Sequence, residues 1–140
     1  MSSPTQQRSF RLSRRTLELL DGLAATSGQS RNSIAERLLS EAIRNETHPL
    51  IRFRSGAMGR RQPILAGTRL YVHQVIATLR GNDGDIGRTA ADFGISPQQV
   101  RAAVAYYADF RDEVDDDTAA AARVEQEERE RWERQQRAIA

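Results

Sequence analysis

The 140-residue chain contains no cysteine, which excludes disulfides, thiolate metal sites and cysteine nucleophiles together. It contains no lysine either, since all 21 basic side chains are Arg, and this leaves no glycine-rich phosphate loop with its customary Lys. No Ser sits in a nucleophile elbow, and the two histidines, His48 and His73, are isolated. No apolar run approaches the roughly 20 residues of a membrane span. The opening Met1-Ser2-Ser3-Pro4-Thr5-Gln6-Gln7 has no signal-peptide character. These absences lead to the expectation of a cytoplasmic protein that is not an enzyme and carries no cofactor. No metal is expected: Asp115, Asp116 and Asp117 are consecutive acids ahead of a helix, a pattern that more often makes a solvated cap.

What is present is charge, and it is unevenly placed. Residues 1–47 carry seven Arg against five acids, residues 48–110 eight against four, and residues 111–140 six against ten. A basic body with an acidic tail suits a DNA-binding body whose tail is aimed at something else. With a mean hydropathy of -0.64 and 29% charged residues, the chain is polar. Its length admits one domain or two small ones.

The most informative stretch is residues 8–44. In Ser9-Phe10-Arg11-Leu12-Ser13 the side chains alternate, so a strand here would turn Phe10 and Leu12 to one face and Ser9, Arg11 and Ser13 to the other. Ser13 is placed to cap a helix with Leu17, Leu20, Leu23 and Ala24 on one stripe and Gly28 at its end. Ser30 is placed to cap a second helix whose stripe is Ile34, Leu38, Leu39, Ala42 and Ile43, with Glu41 and Arg44 left for solvent. The open N-terminus of that helix, Ser30 to Ser33, offers amides and small hydroxyls to an anion. Arg14 and Arg15 fall in the first turn of a helix, where the macrodipole disfavours cations unless a phosphate lies nearby. About 40 residues cannot bury enough apolar surface to fold alone, so the expected unit is an intertwined dimer with a two-stranded ribbon that fits a DNA major groove. The plainer alternative is a helical hairpin with a frayed N-terminus.

This segment resembles the Arc/CopG ribbon-helix-helix repressors, most specifically in Phe10-Arg11-Leu12-Ser13 and in Gly28-Gln29-Ser30-Arg31-Asn32-Ser33. The resemblance implies that Ser9 and Arg11 of paired strands read base edges, with Gln7 a weak further candidate. Ser13 and Arg14 would lie beside the DNA, and Ser30, Arg31, Asn32 and Ser33 would clamp the phosphate backbone.

Beyond His48-Pro49, which disfavours further helix, short apolar runs at Ile51/Phe53, Ile64/Leu65 and Leu70/Val72 read as a hairpin or extended arm. Helices are expected over residues 73–79, 86–93 and 97–110. In the last two, Ala90, Gly94, Ile95 and Val100 carry the packing pattern of a helix-turn-helix. Gln98, Gln99, Arg101 and Ala102 then face outward, where Gln and Arg side chains can read bases. The alternative is a compact unit for dimerisation or partner binding.

The run Gln62-Pro63-Ile64-Leu65-Ala66-Gly67-Thr68-Arg69-Leu70-Tyr71-Val72, with the helix carrying Ala105-Tyr106-Tyr107, resembles the antitoxin domain numbered 433 among the domains of unknown function. The entry Met58-Gly59-Arg60-Arg61-Gln62-Pro63 departs from that family's Gly-Gly-(Lys/Arg)-Pro. This resemblance implies a VapB-like antitoxin with a PIN-like ribonuclease toxin as partner. Of Tyr106 and Tyr107, one is expected in the core and the other half exposed, with Tyr107 the candidate for partner contact.

The acidic run 112–117 leads into Thr118-Ala119-Ala120-Ala121-Ala122, a strong helix starter. The helix is expected to reach about Gln136, supported by pairs such as Glu125/Arg129 and Glu130/Arg134. Its few hydrophobes are Val124, Trp132 and Ile139, and Trp132 between Arg131 and Arg134 has the composition of an interface anchor. The rival is a solvated helix with Trp132 folded back on the body.

The expected architecture is mainly α: a ribbon-helix-helix module at residues 1–46, a trihelical helix-turn-helix domain with a short β-hairpin at 48–117, and a helical partner-binding tail at 118–140. The expected function is that of a type II antitoxin, homodimeric or a higher even oligomer, which binds operator DNA and neutralises its toxin. A stand-alone dimeric repressor and a pure interaction adaptor are the alternatives.

Overall fold

The structure, a computed structural model, describes residues 4–56 and 59–140. It is mainly helical, with one small antiparallel sheet, and divides into two compact units, residues 1–42 and 43–140.

In the first unit, α1 (Arg14–Ser27) begins where Ser13, in extended conformation, accepts a hydrogen bond from the backbone N–H of Thr16. It ends at Gly28, whose φ of 69° is the left-handed geometry that favours a residue without Cβ. α2 (Arg31–Thr47) is capped the same way, with Ser30 Oγ accepting from the Ser33 N–H at 3.1 Å. Both caps fall on the expected residues. The apolar faces, however, have little to pack on: Leu17, Leu19, Leu23, Leu38 and Leu39 are exposed, and Ile34 alone among the described residues of this unit is buried. Residues 4–13 form no strand in the single chain, contrary to the expectation for residues 9–13, and every one of them is exposed. An isolated strand has no ladder to complete within its own chain.

The second unit closes its own core. β1 (Ile51–Ser55) pairs antiparallel with β2 (Arg61–Leu65), Ile51 opposite Leu65 and Phe53 opposite Pro63. The period of two turns Ile51 and Phe53 inward and leaves Arg52 and Arg54 exposed. At Gly56, after the end of β1, a Cβ would lie 2.5 Å from Gln62 Oε1, so a larger residue there would displace the Gln62 side chain. Three helices follow, α3 (Val72–Gly81), α4 (Ile86–Phe93) and α5 (Pro97–Asp109); α3 and α5 pack on the hairpin, and α4 packs on α3 and α5. Val72, Val75 and Ile76 of α3, Ala90 of α4, and Val100, Ala103, Tyr106 and Tyr107 of α5 meet Ile51 and Leu65 in one cluster. The turn between α4 and α5 holds Gly94 at φ 66°, and Ser96 and Gln99 form a capping box at the start of α5. Here the expected roles of Ala90, Gly94 and Val100 match the packing.

The last helix differs from expectation. α6 starts at Arg111 and runs to Ile139, so the acidic residues 112–117 lie within it and not ahead of it. The reason is packing. Val114, Asp117 and Ala120 are buried on one side, and that side fixes the first three turns onto the core while Asp112 and Glu113 suit the positive helix end. Asp117 is therefore no solvated cap. Its Oδ1 accepts from Arg60 Nη2 at 2.9 Å and from Gln62 Nε2 at 3.4 Å, and burial pushes its carboxyl above the usual range against the opposing pull of Arg60.

Candidate nucleic-acid interface and tail

The N-terminal candidates share one property, exposure. Ser9, Arg11, Ser13 and Arg14 are all solvent-exposed, and Arg11 and Arg14 form no ion pair among the described residues. Ser13 spends its hydroxyl on the α1 cap, where it also meets Thr16 Oγ1 at 2.9 Å, so it acts first as a structural residue. Arg15 lies 4.0 Å from Glu18, a contact between two exposed side chains worth little.

At the start of α2, Ser30, Arg31, Asn32 and Ser33 are exposed together. Ser30 Oγ donates to Ser33 Oγ at 2.9 Å, which holds the two hydroxyls at the helix mouth. Arg31 Nε sits 2.7 Å from Asp21 Oδ1, with both side chains more than half exposed. That pair is screened by water and contributes about 0 to 1 kcal/mol, so an incoming phosphate competes with Asp21 for the guanidinium on favourable terms.

In the second unit the three α5 candidates separate. Gln98 and Arg101 are exposed and line a shallow cleft of about 290 Å³ with His48, Leu50, Ala102 and Ala105. Gln99 is half-buried, and its Oε1 accepts from the Ser96 N–H at 2.8 Å. Its amide oxygen is committed to the cap, which leaves Gln98 and Arg101 as the exposed candidates on this helix.

Comparison with protein-family models, with curated proteins and with solved structures returns no match.

Of the tail candidates, Tyr107 is misplaced. It is 8% exposed, takes a hydrogen bond from Arg80 Nη2 at 2.5 Å and donates to Asp115 Oδ1 at 2.8 Å. Neither tyrosine is half exposed: His48, Phe53 and Phe110 enclose Tyr106, and α6 holds Tyr107 through Asp115. Tyr107 is thus a joint between α3, α5 and α6, and its hydroxyl is unavailable to a partner. Trp132 is 60% exposed, and Arg131 and Arg134 beside it are exposed as well. The indole does not fold back on the body. Glu125 and Arg129 make the expected i,i+4 pair at 3.8 Å.

One polar cluster escaped sequence reading. Arg44, expected to face solvent, is only 22% exposed; its guanidinium grips Glu113 with contacts of 2.5 and 3.0 Å and donates to the Tyr106 hydroxyl at 3.0 Å. Glu113 raises the Arg44 pKa further above its already basic value, and burial raises that of Tyr106. His48, which the sequence leaves isolated, is buried and meets Asp109 Oδ2 at 2.8 Å, with its ring edge-on to Tyr106. These partners lie 61 to 69 residues apart in sequence, and no local pattern announces them.

Proposed function

We propose that this chain is a dimeric, DNA-binding antitoxin of the ribbon-helix-helix class. Two copies of residues 8–13 would pair as an antiparallel ribbon, Arg11 and Ser9 reading base edges in the major groove, while Arg31 and the mouth of α2 hold the phosphates on either side. The observation that carries the reading is the unfinished first unit. Leu17, Leu19, Leu23, Leu38 and Leu39 are exposed around a single buried Ile34, with Phe10 72% and Leu12 49% exposed on the arm. So many large apolar side chains left bare call for a partner surface, and a second copy of the same unit, meeting it about a two-fold, would supply one.

The second unit supplies the rest of the proposal. Gln98 and Arg101 at the start of α5 offer a second DNA contact in helix-turn-helix fashion, and the bare end of α6 with Trp132, Arg131 and Arg134 offers the anchor for a PIN-like ribonuclease toxin. Such a protein works in the cytoplasm and represses its own operon.

The test is a mobility shift on the DNA upstream of the gene, with and without the product of the adjacent gene. Arg11→Ala should weaken binding by about 1 to 3 kcal/mol per guanine contact and relax base preference. Arg31→Ala should weaken all sequences evenly and lower the salt slope by about one. Equal binding by wild type and Arg11→Ala rejects the ribbon, and undiminished toxin neutralisation after deletion of residues 118–140 rejects the tail.

A further inference from the structure

The face that α6 buries against the body does not stop where the body does. At about 100° per residue, and taking Glu128 as the reference direction, Val114 and Asp117, both buried, project within roughly 40° of it. Ala121, Val124, Trp132, Gln135 and Ile139 project within the same roughly 80° arc. Yet beyond Ala120 this arc is largely bare: Val124 is half-buried, Trp132 is 60% and Ile139 is 79% exposed. One continuous stripe thus has a partner in its first part and none in its second.

Charge along the helix says what the missing partner is. Residues 111–128 carry eight acids and two Arg, whereas residues 129–140 carry four Arg and two acids. Counted outward from Glu128, residues at equal distances on its two sides are opposite in charge: Glu127 with Arg129, Glu125 with Arg131, Arg123 with Glu133. At the same spacing Val124 matches Trp132, apolar with apolar. A helical segment whose charge inverts about one residue is complementary to itself when reversed about that residue.

We infer that the exposed half of α6 pairs antiparallel with α6 of a second copy of this chain, about a two-fold axis at Glu128. In this register Val124 of each copy comes level with Trp132 of the other, and the pairing spans Ala121 to Gln135, because Asp117, level with Ile139, is already covered by its own body. Glu125 and Arg129 lie on one flank of the stripe and Glu127 and Arg131 on the opposite flank. The two-fold keeps each flank on its own side, so Glu125 faces the second copy's Arg129, and Glu127 faces the second copy's Arg131, each twice. A parallel pair would instead set the acidic half against itself and the Arg-rich half against itself. The one opposed like-charge contact is Glu128 on Glu128, and it gives the inference a signature that a foreign partner would not have. The inference stands on α6 alone; it uses Trp132 and Arg131, so in the antitoxin reading a toxin and the second copy of α6 compete for this face.

The absence of cysteine makes the test clean, because each variant of the full chain then carries one thiol. Under mild oxidation Glu128→Cys should cross-link with itself. Ala121→Cys and Gln135→Cys should each cross-link poorly alone but several-fold better when the two are co-expressed, one of them tagged. Glu130→Cys, on the opposite side of the helix, is the background. Equal cross-linking of Ala121→Cys alone and in the mixture, or cross-linking of Glu128→Cys no higher than that of Glu130→Cys, would overturn the pairing. In a chain with no cysteine added, Glu128→Gln should tighten self-association measured by sedimentation; a weaker or unchanged association overturns the register.

Discussion

The two units use the same kind of sequence to opposite ends. α1 and α2 carry apolar stripes as regular as those of α3 to α5, with caps as well formed, yet α1 buries no residue and α2 only Ile34. The second unit puts Val72, Val75, Val100, Ala103 and Tyr106 almost wholly out of water. The difference is the number of layers each chain segment supplies. Two helices joined by a three-residue turn make one layer, whereas the hairpin and α6 give the second unit a floor and a brace around its three helices. Amphipathic periodicity therefore tells where a core face lies and is silent on whether the same chain will cover it.

The comparison breaks most sharply at Tyr106. Its ring is 1% exposed and contacts those of His48, Phe53 and Phe110. Tyr106→Ala should cost the second unit about 3 to 5 kcal/mol, seen as a lowered urea midpoint. Amides of α1 should keep their hydrogen-exchange protection at high protein concentration, because in the proposed dimer their core comes from a second copy. Loss of protection in both units at once would show that they are not independent.

Next in size is the buried pair. Arg60→Ala strands Asp117 without its cation and should cost about 2 to 3 kcal/mol, less than the roughly 3 to 5 of a fully enclosed pair because the Arg60 side chain is 40% exposed. The double variant Arg60→Ala with Asp117→Leu should recover much of that loss, since no charge is then buried alone. A double variant as unstable as the sum of the two singles would remove the ion pair from the account.

How much of this was legible depended on range. Caps and turns at Ser13, Gly28, Ser30 and Gly94 follow from residues within four positions of each other, and the structure places them there. So does the alternation of Ile51 and Phe53 with Arg52 and Arg54. The strand expected at residues 9–13 has no pairing partner in the single chain, and the largest of the other misreadings involve α6. Acidic composition disguised residues 112–117 as a cap, because the burial of Val114 and Asp117 depends on a hairpin more than 50 residues earlier. Tyr107 was assigned to a partner for the same reason, since only α6 returning over α5 makes it internal. For the candidate DNA contacts, sequence located exposed Arg11, Arg31, Gln98 and Arg101 but not the cap that occupies Gln99.

A smaller effect sharpens the first unit. Leu38 is 40% exposed in the single chain, so Leu38→Ala should change the stability of a dilute, monomeric sample by less than about 0.5 kcal/mol. In a dimer that buries this face the same change should cost about 2 to 4 kcal/mol, read as a rise in the dissociation constant by sedimentation. The second unit offers the control: Val100→Ala should be independent of protein concentration. If Leu38→Ala costs the same at every concentration, the apolar face of α2 is not a dimer surface.

The smallest expected effect is on pH, and it belongs to the second unit alone. His73 of α3 is partly buried and stacked on Tyr71, with ring centroids 5.4 Å apart, and burial lowers its pKa from the usual 6.5. The unfolded chain then binds more protons than the folded one between the folded value and 6.5, so stability rises with pH through that window and is flat above it. Asp117 works in the opposite sense from 3.8 upward, because its raised pKa makes the folded state the better proton acceptor there. Comparing the wild type with His73→Gln at each pH cancels the Asp117 contribution. The melting temperature of the wild type should fall more than that of His73→Gln between pH 7.5 and pH 5.5, and the gap should not depend on protein concentration. A gap that widens on dilution would place the effect in the proposed dimer surface of the first unit and erase the distinction between a unit that covers its own core and one proposed to borrow its cover.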